Sequence, residues 1–85
     1  MSDKDVFDEF AEAMRKKFNE ALNKDSNRSK EPWKDYDYEF LEGGVIREFI
    51  EFLRAYSRIE ASEECIDIAE FCMFYWKKEK MNYER

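Results

Sequence analysis

Four carboxylates in this chain are spaced as a pair of cation-holding faces would be. Glu48 and Glu51 are three residues apart, and so are Glu64 and Asp67. On a helix, residues three apart share a face, with Cβ atoms about 5–6 Å from each other. The spacing alone means little, because 21 of the 85 residues are acidic and Glu9/Glu12, Glu39/Glu42 and Glu60/Glu63 repeat it. Most such pairs form a solvated helix face. Symmetry separates the first two from the rest. Glu51 and Glu64 are equally distant from a turn signalled near Ser57, and so are Glu48 and Asp67. In an antiparallel helical hairpin, residues equidistant from the turn lie at the same height. Glu51 is therefore expected to face Glu64, and Glu48 to face Asp67, with the two levels about 4.5 Å apart.

The neighbours of these acids suit a shared site. Gly44 and Ala55 lie on the stripe of Glu48 and leave room beside it, while Asp67 stands between Ile66 and Ile68. An unpaired charge in apolar surroundings is costly. Converging carboxylates repel one another unless they bind cations or protons. All-oxygen ligands select Mg²⁺, with Mn²⁺ as a substitute, or Ca²⁺ over zinc. Mg²⁺ rarely sits in an all-protein cage, so phosphates of a substrate would complete its coordination. The chain has no His, which removes the usual zinc ligand and every His-based triad. The competing reading is a surface hairpin whose acids point outward.

The positioning elements are helical. Residues 5–23 carry Phe7, Phe10, Met14, Phe18, Ala21 and Leu22 at steps of three and four, with Asp3 or Asp5 as N-cap. A polar loop follows from Asn23 to Pro32. A second pattern runs from about Tyr36 to Tyr56 through Leu41, Val45, Phe49 and Phe52 or Leu53, interrupted at Gly43-Gly44. Each glycine costs about 1 kcal/mol against Ala in a helix, so a kink or break is expected unless close packing needs the missing side chains. Ser57 and Glu60 form a capping box for a third helix from about Arg58 to Asn82. Between Cys65 and Trp76 only Asp67 and Glu70 are neither apolar nor aromatic. A helix apolar on nearly all sides needs cover that two short neighbours cannot supply. The expectation is one all-α domain over residues 1–85, with three main helices per chain and a four-helix-bundle-like homo-oligomer, a dimer or larger.

Composition sets the outer limits. At 18% aromatic and 44% hydrophobic, the chain lies outside the disordered range. Its net charge of −6 opposes binding to bare nucleic acid or an anionic membrane. A polyanionic substrate stays compatible if cations sit between carboxylate and phosphate. Cys65 and Cys72, seven apart, would lie about 10.5 Å from each other along one helix, too far for an intrachain disulfide. They are expected as buried, reduced thiols. With no signal peptide and no apolar run of membrane-spanning length, a cytoplasmic location is expected.

At this point the residues resemble a family. Glu48-x-x-Glu51, twelve intervening residues and Glu64-x-x-Asp67 are similar to the ExxE…ExxD signature of the MazG-like, all-α nucleoside triphosphate pyrophosphohydrolases. The bare pattern is permissive, since Glu39/Glu42 with Glu64/Asp67 also satisfies it. The run Glu64-Cys65-Ile66-Asp67-Ile68-Ala69-Glu70-Phe71 and the upstream Asn27-x-x-Lys30-x-x-Trp33 resemble the small archaeal-type members, over most of the chain. The resemblance implies Mg²⁺ bound by Glu48, Glu51, Glu64 and Asp67. It implies cleavage of a nucleoside triphosphate to monophosphate and pyrophosphate, with Glu48 or Glu51 orienting or deprotonating the attacking water. Lys30 would contact phosphate and Trp33 the base, with Asn27 as a further ligand. Plainer roles for the three are a solvated charge, a hydrophobic cover beside Pro32 and a loop cap. Members of the family often carry Asn three residues after the motif Asp and sometimes Tyr at the fourth; here these are Glu70 and Phe71. The alternative function is a non-catalytic helical oligomer, acting as an interaction or nucleotide-binding regulatory module.

Overall fold

The computed structural model describes residues 5–83; four helices joined by loops make up their regular structure, without a strand among them. The chain divides into two units, Met1–Lys30 and Glu31–Arg85.

The first unit holds α1, Val6–Lys24. Asp5 caps it, its side chain accepting from the Phe7 N–H at 2.8 Å. Asp3, the other candidate cap, lies outside the described residues. Met14, Phe18, Ala21 and Leu22 are half-buried, while Phe7 and Phe10 are exposed. The following loop is tied locally, with the Asn27 N–H donating to Asp25 Oδ1 at 3.0 Å.

The second unit opens with a one-turn helix, α2, Pro32–Asp35, where the sequence reading ends a loop. Proline fixes φ near the helical value and lacks an N–H that a first turn would leave unpaired, so Pro32 suits the first position. The Glu31 carbonyl accepts from the N–H groups of Lys34 and Asp35. Glu31 also pairs with Lys34 at 2.7 Å, which raises the lysine's pKa. Then come α3, Tyr38–Leu53, and α4, Arg58–Tyr83. Asp37 caps α3 through the Phe40 N–H at 2.8 Å, so the helix starts two residues later than its apolar pattern. Ser57 Oγ accepts from the Glu60 N–H at 3.1 Å, as the capping box requires. Glu60 accepts in return from Tyr56 N–H at 3.4 Å, one residue upstream of the usual place.

α3 and α4 pack as an antiparallel hairpin, and α2 packs on α4. The break expected at Gly43-Gly44 is absent, because α3 runs through both. Gly44 is buried, and a Cβ built there would stand 2.8 Å from Cγ of Phe71 and nearer still to two other ring atoms. Around Gly43 there is nothing within 4 Å. The two glycines therefore have opposite signs. Gly43→Ala is expected to stabilise by up to about 1 kcal/mol, through helix propensity alone. At Gly44, the same gain is outweighed by an overpacking cost of about 1–3 kcal/mol. Urea titrations of the two variants check this. Equal shifts in the same direction would refute the close approach of Phe71.

Gly44 and Phe71 are equidistant from the turn, as are Leu41, which is fully enclosed, and Phe74, 5% exposed. This is the register the carboxylate symmetry requires. Beyond Phe74 the hairpin is tied by polar and aromatic contacts. Trp33 meets Phe74 at 6.1 Å between ring centroids, and Lys78 Nζ donates to the Trp33 carbonyl at 3.4 Å. The Tyr38 hydroxyl donates to Glu79 Oε2 at 2.8 Å and accepts from Asn82. The bond to Glu79 holds the Tyr38 phenol above its ordinary pKa, while burial does so for Tyr75, whose ring packs edge-on against Tyr38.

One expectation about α4 is corrected. Cys65 and Cys72 are free and exposed rather than buried. α4 turns one side to α3, and at 100° per residue both cysteines fall on the far side from Asp67, Phe71 and Phe74. Trp76 and Met73 are exposed as well.

Candidate metal centre

α3 presents Leu41, Gly44, Glu48 and Phe52 to α4, all buried or half-buried, and Ala55 in the turn is half-buried as well. α4 answers with Phe74, Phe71, Asp67 and Glu64, which are also buried or half-buried. The seam between the helices is thus apolar at one end and acidic towards the turn. One carboxylate oxygen each from Glu48, Glu64 and Asp67 lies within 4.8 Å of the others. Glu48 meets Asp67 at its own level and reaches Glu64 one turn nearer the hairpin's end.

Of the four acids predicted from sequence, Glu51 stands apart. It is exposed and lies outside this group. The reason is angular. The α3 seam continues from Glu48 to Phe52 by a step of four, and at 100° per residue Glu51 sits about 60° from the centre of the stripe. Equal height does not bring two side chains together when they leave the seam on different flanks.

The donor set fits one hard cation. Oxygens on opposite sides of a Mg²⁺ ion are about 4.2 Å apart, and about 4.6–5.2 Å apart around Ca²⁺. Only one pair among three donors can lie on opposite sides of an ion, so three oxygens within 4.8 Å of one another would draw together to share either cation, more for Mg²⁺ than for Ca²⁺. Two unit charges at that separation repel by about 0.9–3.5 kcal/mol for effective dielectrics between bulk water and a protein surface. Binding of a divalent cation would relieve that repulsion three times over. Glu64 Oε2 is withdrawn from solvent, as is Oε1 of Glu70, nearly two turns further along α4. Glu70 is not part of the three-carboxylate group.

A neighbour that sequence reasoning missed is Arg47. Its Nε lies 3.8 Å from Glu48 Oε1, and its guanidinium stacks 5.7 Å over the Phe71 ring. It places a positive charge at the edge of a triply negative site. The available signal was its position one residue before Glu48, on the flank of α3 that adjoins the seam. Phe71, where the resembled family sometimes has Tyr, serves here as the wedge under Gly44 and the platform for Arg47.

The three residues expected to bind substrate are placed as follows. Trp33 is half-buried in α2 against Phe74, about two turns along α4 from Asp67. Asn27 and Lys30 are exposed and belong to the first unit. No protein-family model, curated protein or solved structure matches this chain. Among the described residues, no helix is long and apolar enough to cross a membrane.

Proposed function

We propose that the chain is a Mg²⁺-dependent nucleoside triphosphate pyrophosphohydrolase working in the cytoplasm as a homo-oligomer. The observation that carries this reading is the convergence of Glu48, Glu64 and Asp67 in the seam of the α3–α4 hairpin. An apolar pair in that position would stabilise the hairpin better than three acids, so the acids are read as functional. The resemblance of the Glu48–Asp67 region to the MazG-like signature supports the choice of substrate. Water would attack the α-phosphorus, and its oxygen would form the new P–O bond. The bridging bond to the β-phosphoryl group breaks, and pyrophosphate leaves with the electron pair. The proton released from water passes to a carboxylate, Glu48 within the seam or Glu51 on its exposed flank. Glu48, Glu64 and Asp67 would hold the divalent cation, with Mn²⁺ able to replace Mg²⁺. When bound, that cation neutralises charge developing on the phosphates. Arg47 would add a fixed positive charge at the same edge. From the resemblance, Lys30 is a candidate for phosphate contact, Trp33 for the base and Asn27 for a further ligand.

A panel of ribo- and deoxynucleoside triphosphates incubated with Mg²⁺ tests the reading. The expected result is release of pyrophosphate and monophosphate, reduced about 10²–10⁴-fold by Glu48→Gln. Release of orthophosphate and diphosphate, or no turnover of any triphosphate, would contradict it.

A second reading has its own observation. Ile46, Leu53, Ile59 and Trp76 leave large apolar surface exposed on one chain. That favours a helical oligomer acting as an interaction or nucleotide-binding regulatory module. Cation-dependent stabilisation without turnover would select the regulatory form.

A further inference from the structure

We infer that Arg47 binds the triphosphate directly, exchanging the Glu48 carboxylate for phosphate oxygens when substrate enters. The inference deepens the reading above and rests on its metal centre. Arg47 precedes Glu48 by one residue. Adjacent helix residues diverge by about 100°, so the backbone of α3 does not pair them. The pairing comes from α4. The Arg47 guanidinium lies over the Phe71 ring, 5.7 Å from its centroid, and its Nε stands 3.8 Å from Glu48 Oε1. Phe71 is in turn held against Gly44. A ring wedged in the seam thus brings a cation to the edge of the acidic cluster.

The arginine is held there without being used up. At 3.8 Å its contact with Glu48 is an ion pair, too long for a hydrogen bond. Neither that contact nor the Phe71 ring gives its N–H groups an oxygen at hydrogen-bonding distance. The Arg47 side chain is 57% exposed, against 18% for Glu48, so its donors face the side from which a ligand enters. A guanidinium fork matches two oxygens of one phosphate. The distances allow the exchange. A phosphate oxygen on a Mg²⁺ ion held by Glu48 lies no more than about 4.2 Å from the carboxylate oxygen that holds the ion. Arg47 is already beside the same carboxylate. Glu48 is therefore shared between arginine and cation, and each weakens its hold on the other. Phosphate taken up by the guanidinium leaves Glu48 to the cation. Arg47 opposes the cation when it binds alone and ties its binding to that of triphosphate, a coupling that is reciprocal.

Isothermal titration calorimetry tests this with Mg²⁺ alone, then with inorganic tripolyphosphate in saturating Mg²⁺. Arg47→Gln is expected to bind Mg²⁺ about threefold tighter, the scale of a partly exposed ion pair. It should bind tripolyphosphate at least about tenfold more weakly, the scale of a charge-assisted pair. Damage to the fold would weaken both, so the opposite signs separate the exchange from a structural role. Arg54→Gln removes the same charge from an exposed position about 9 Å further along the axis from Glu48. It should leave both constants within about twofold of the parent. Mg²⁺ affinity unchanged or lowered in Arg47→Gln, or tripolyphosphate affinity unchanged, overturns the inference. Equal shifts in Arg54→Gln overturn it too, because they would come from net charge rather than contact. A parent that binds no Mg²⁺ removes the metal centre and this inference with it. Both shifts present without turnover of any nucleotide overturn the hydrolase reading and leave Arg47 as a phosphate ligand.

Discussion

Asp67→Asn is expected to abolish the rise in melting temperature that Mg²⁺ gives the parent chain. A ligand present at ten times its Kd stabilises the folded state by about 1.4 kcal/mol. In a domain of this size that corresponds to about 6–11 °C. Asp67 supplies one of three oxygens that lie within 4.8 Å of one another, and its amide replacement keeps the shape while removing the charge that attracts the cation. Glu48→Gln and Glu64→Gln should act alike. Glu51→Gln should keep the rise, because Glu51 is exposed and outside the group. Differential scanning calorimetry in Mg²⁺ and in chelator measures all four. A parent melting temperature unmoved by Mg²⁺, Mn²⁺ and Ca²⁺ would remove the metal centre from the account. Loss of the rise in Glu51→Gln would show that a fourth carboxylate belongs to it.

Leu41→Ala is expected to be among the most destabilising single substitutions in the hairpin. Leu41 is fully enclosed and Phe74 is 5% exposed; around them the described residues contain no other buried hydrophobic side chain large enough to anchor the seam. Truncating a buried leucine costs about 2–5 kcal/mol. A core this small supplies little more than about 3–5 kcal/mol in total. A large unfolded fraction at room temperature should follow, visible by circular dichroism and only partly recovered by saturating Mg²⁺. A loss below about 1 kcal/mol in urea titration would mean that the hairpin is held elsewhere, by the Trp33, Tyr38 and Lys78 contacts near its open end.

Much of the hairpin was legible in the sequence because its signals are local. Apolar steps of three and four fix the helices, and Ser57 with Glu60 marks the turn. Once the turn is placed, Gly44–Phe71 and Glu48–Asp67 follow by distance from it. Height along a helix is a one-dimensional quantity that residue numbers carry directly. Rotation about the axis is less secure. The position of Glu51 was read from its height, and its flank depended on whether the seam steps by three or four after Glu48. The uninterrupted helix at Gly44 depended on one aromatic ring, Phe71, approaching from the other helix. α2 was missed because one turn with Pro32 at its start has no apolar period to read. The exposed thiols of Cys65 and Cys72 were missed because an apolar run tells how much of α4 seeks cover and not which side receives it within one chain.

Turnover in water labelled with heavy oxygen tests the central claim most directly. With a nucleoside triphosphate and Mg²⁺, the account predicts that the label enters the nucleoside monophosphate and not the pyrophosphate. It also predicts that chelation or Asp67→Asn stops incorporation. Label found in orthophosphate, or incorporation that persists without a divalent cation or without the Asp67 carboxylate, would contradict it.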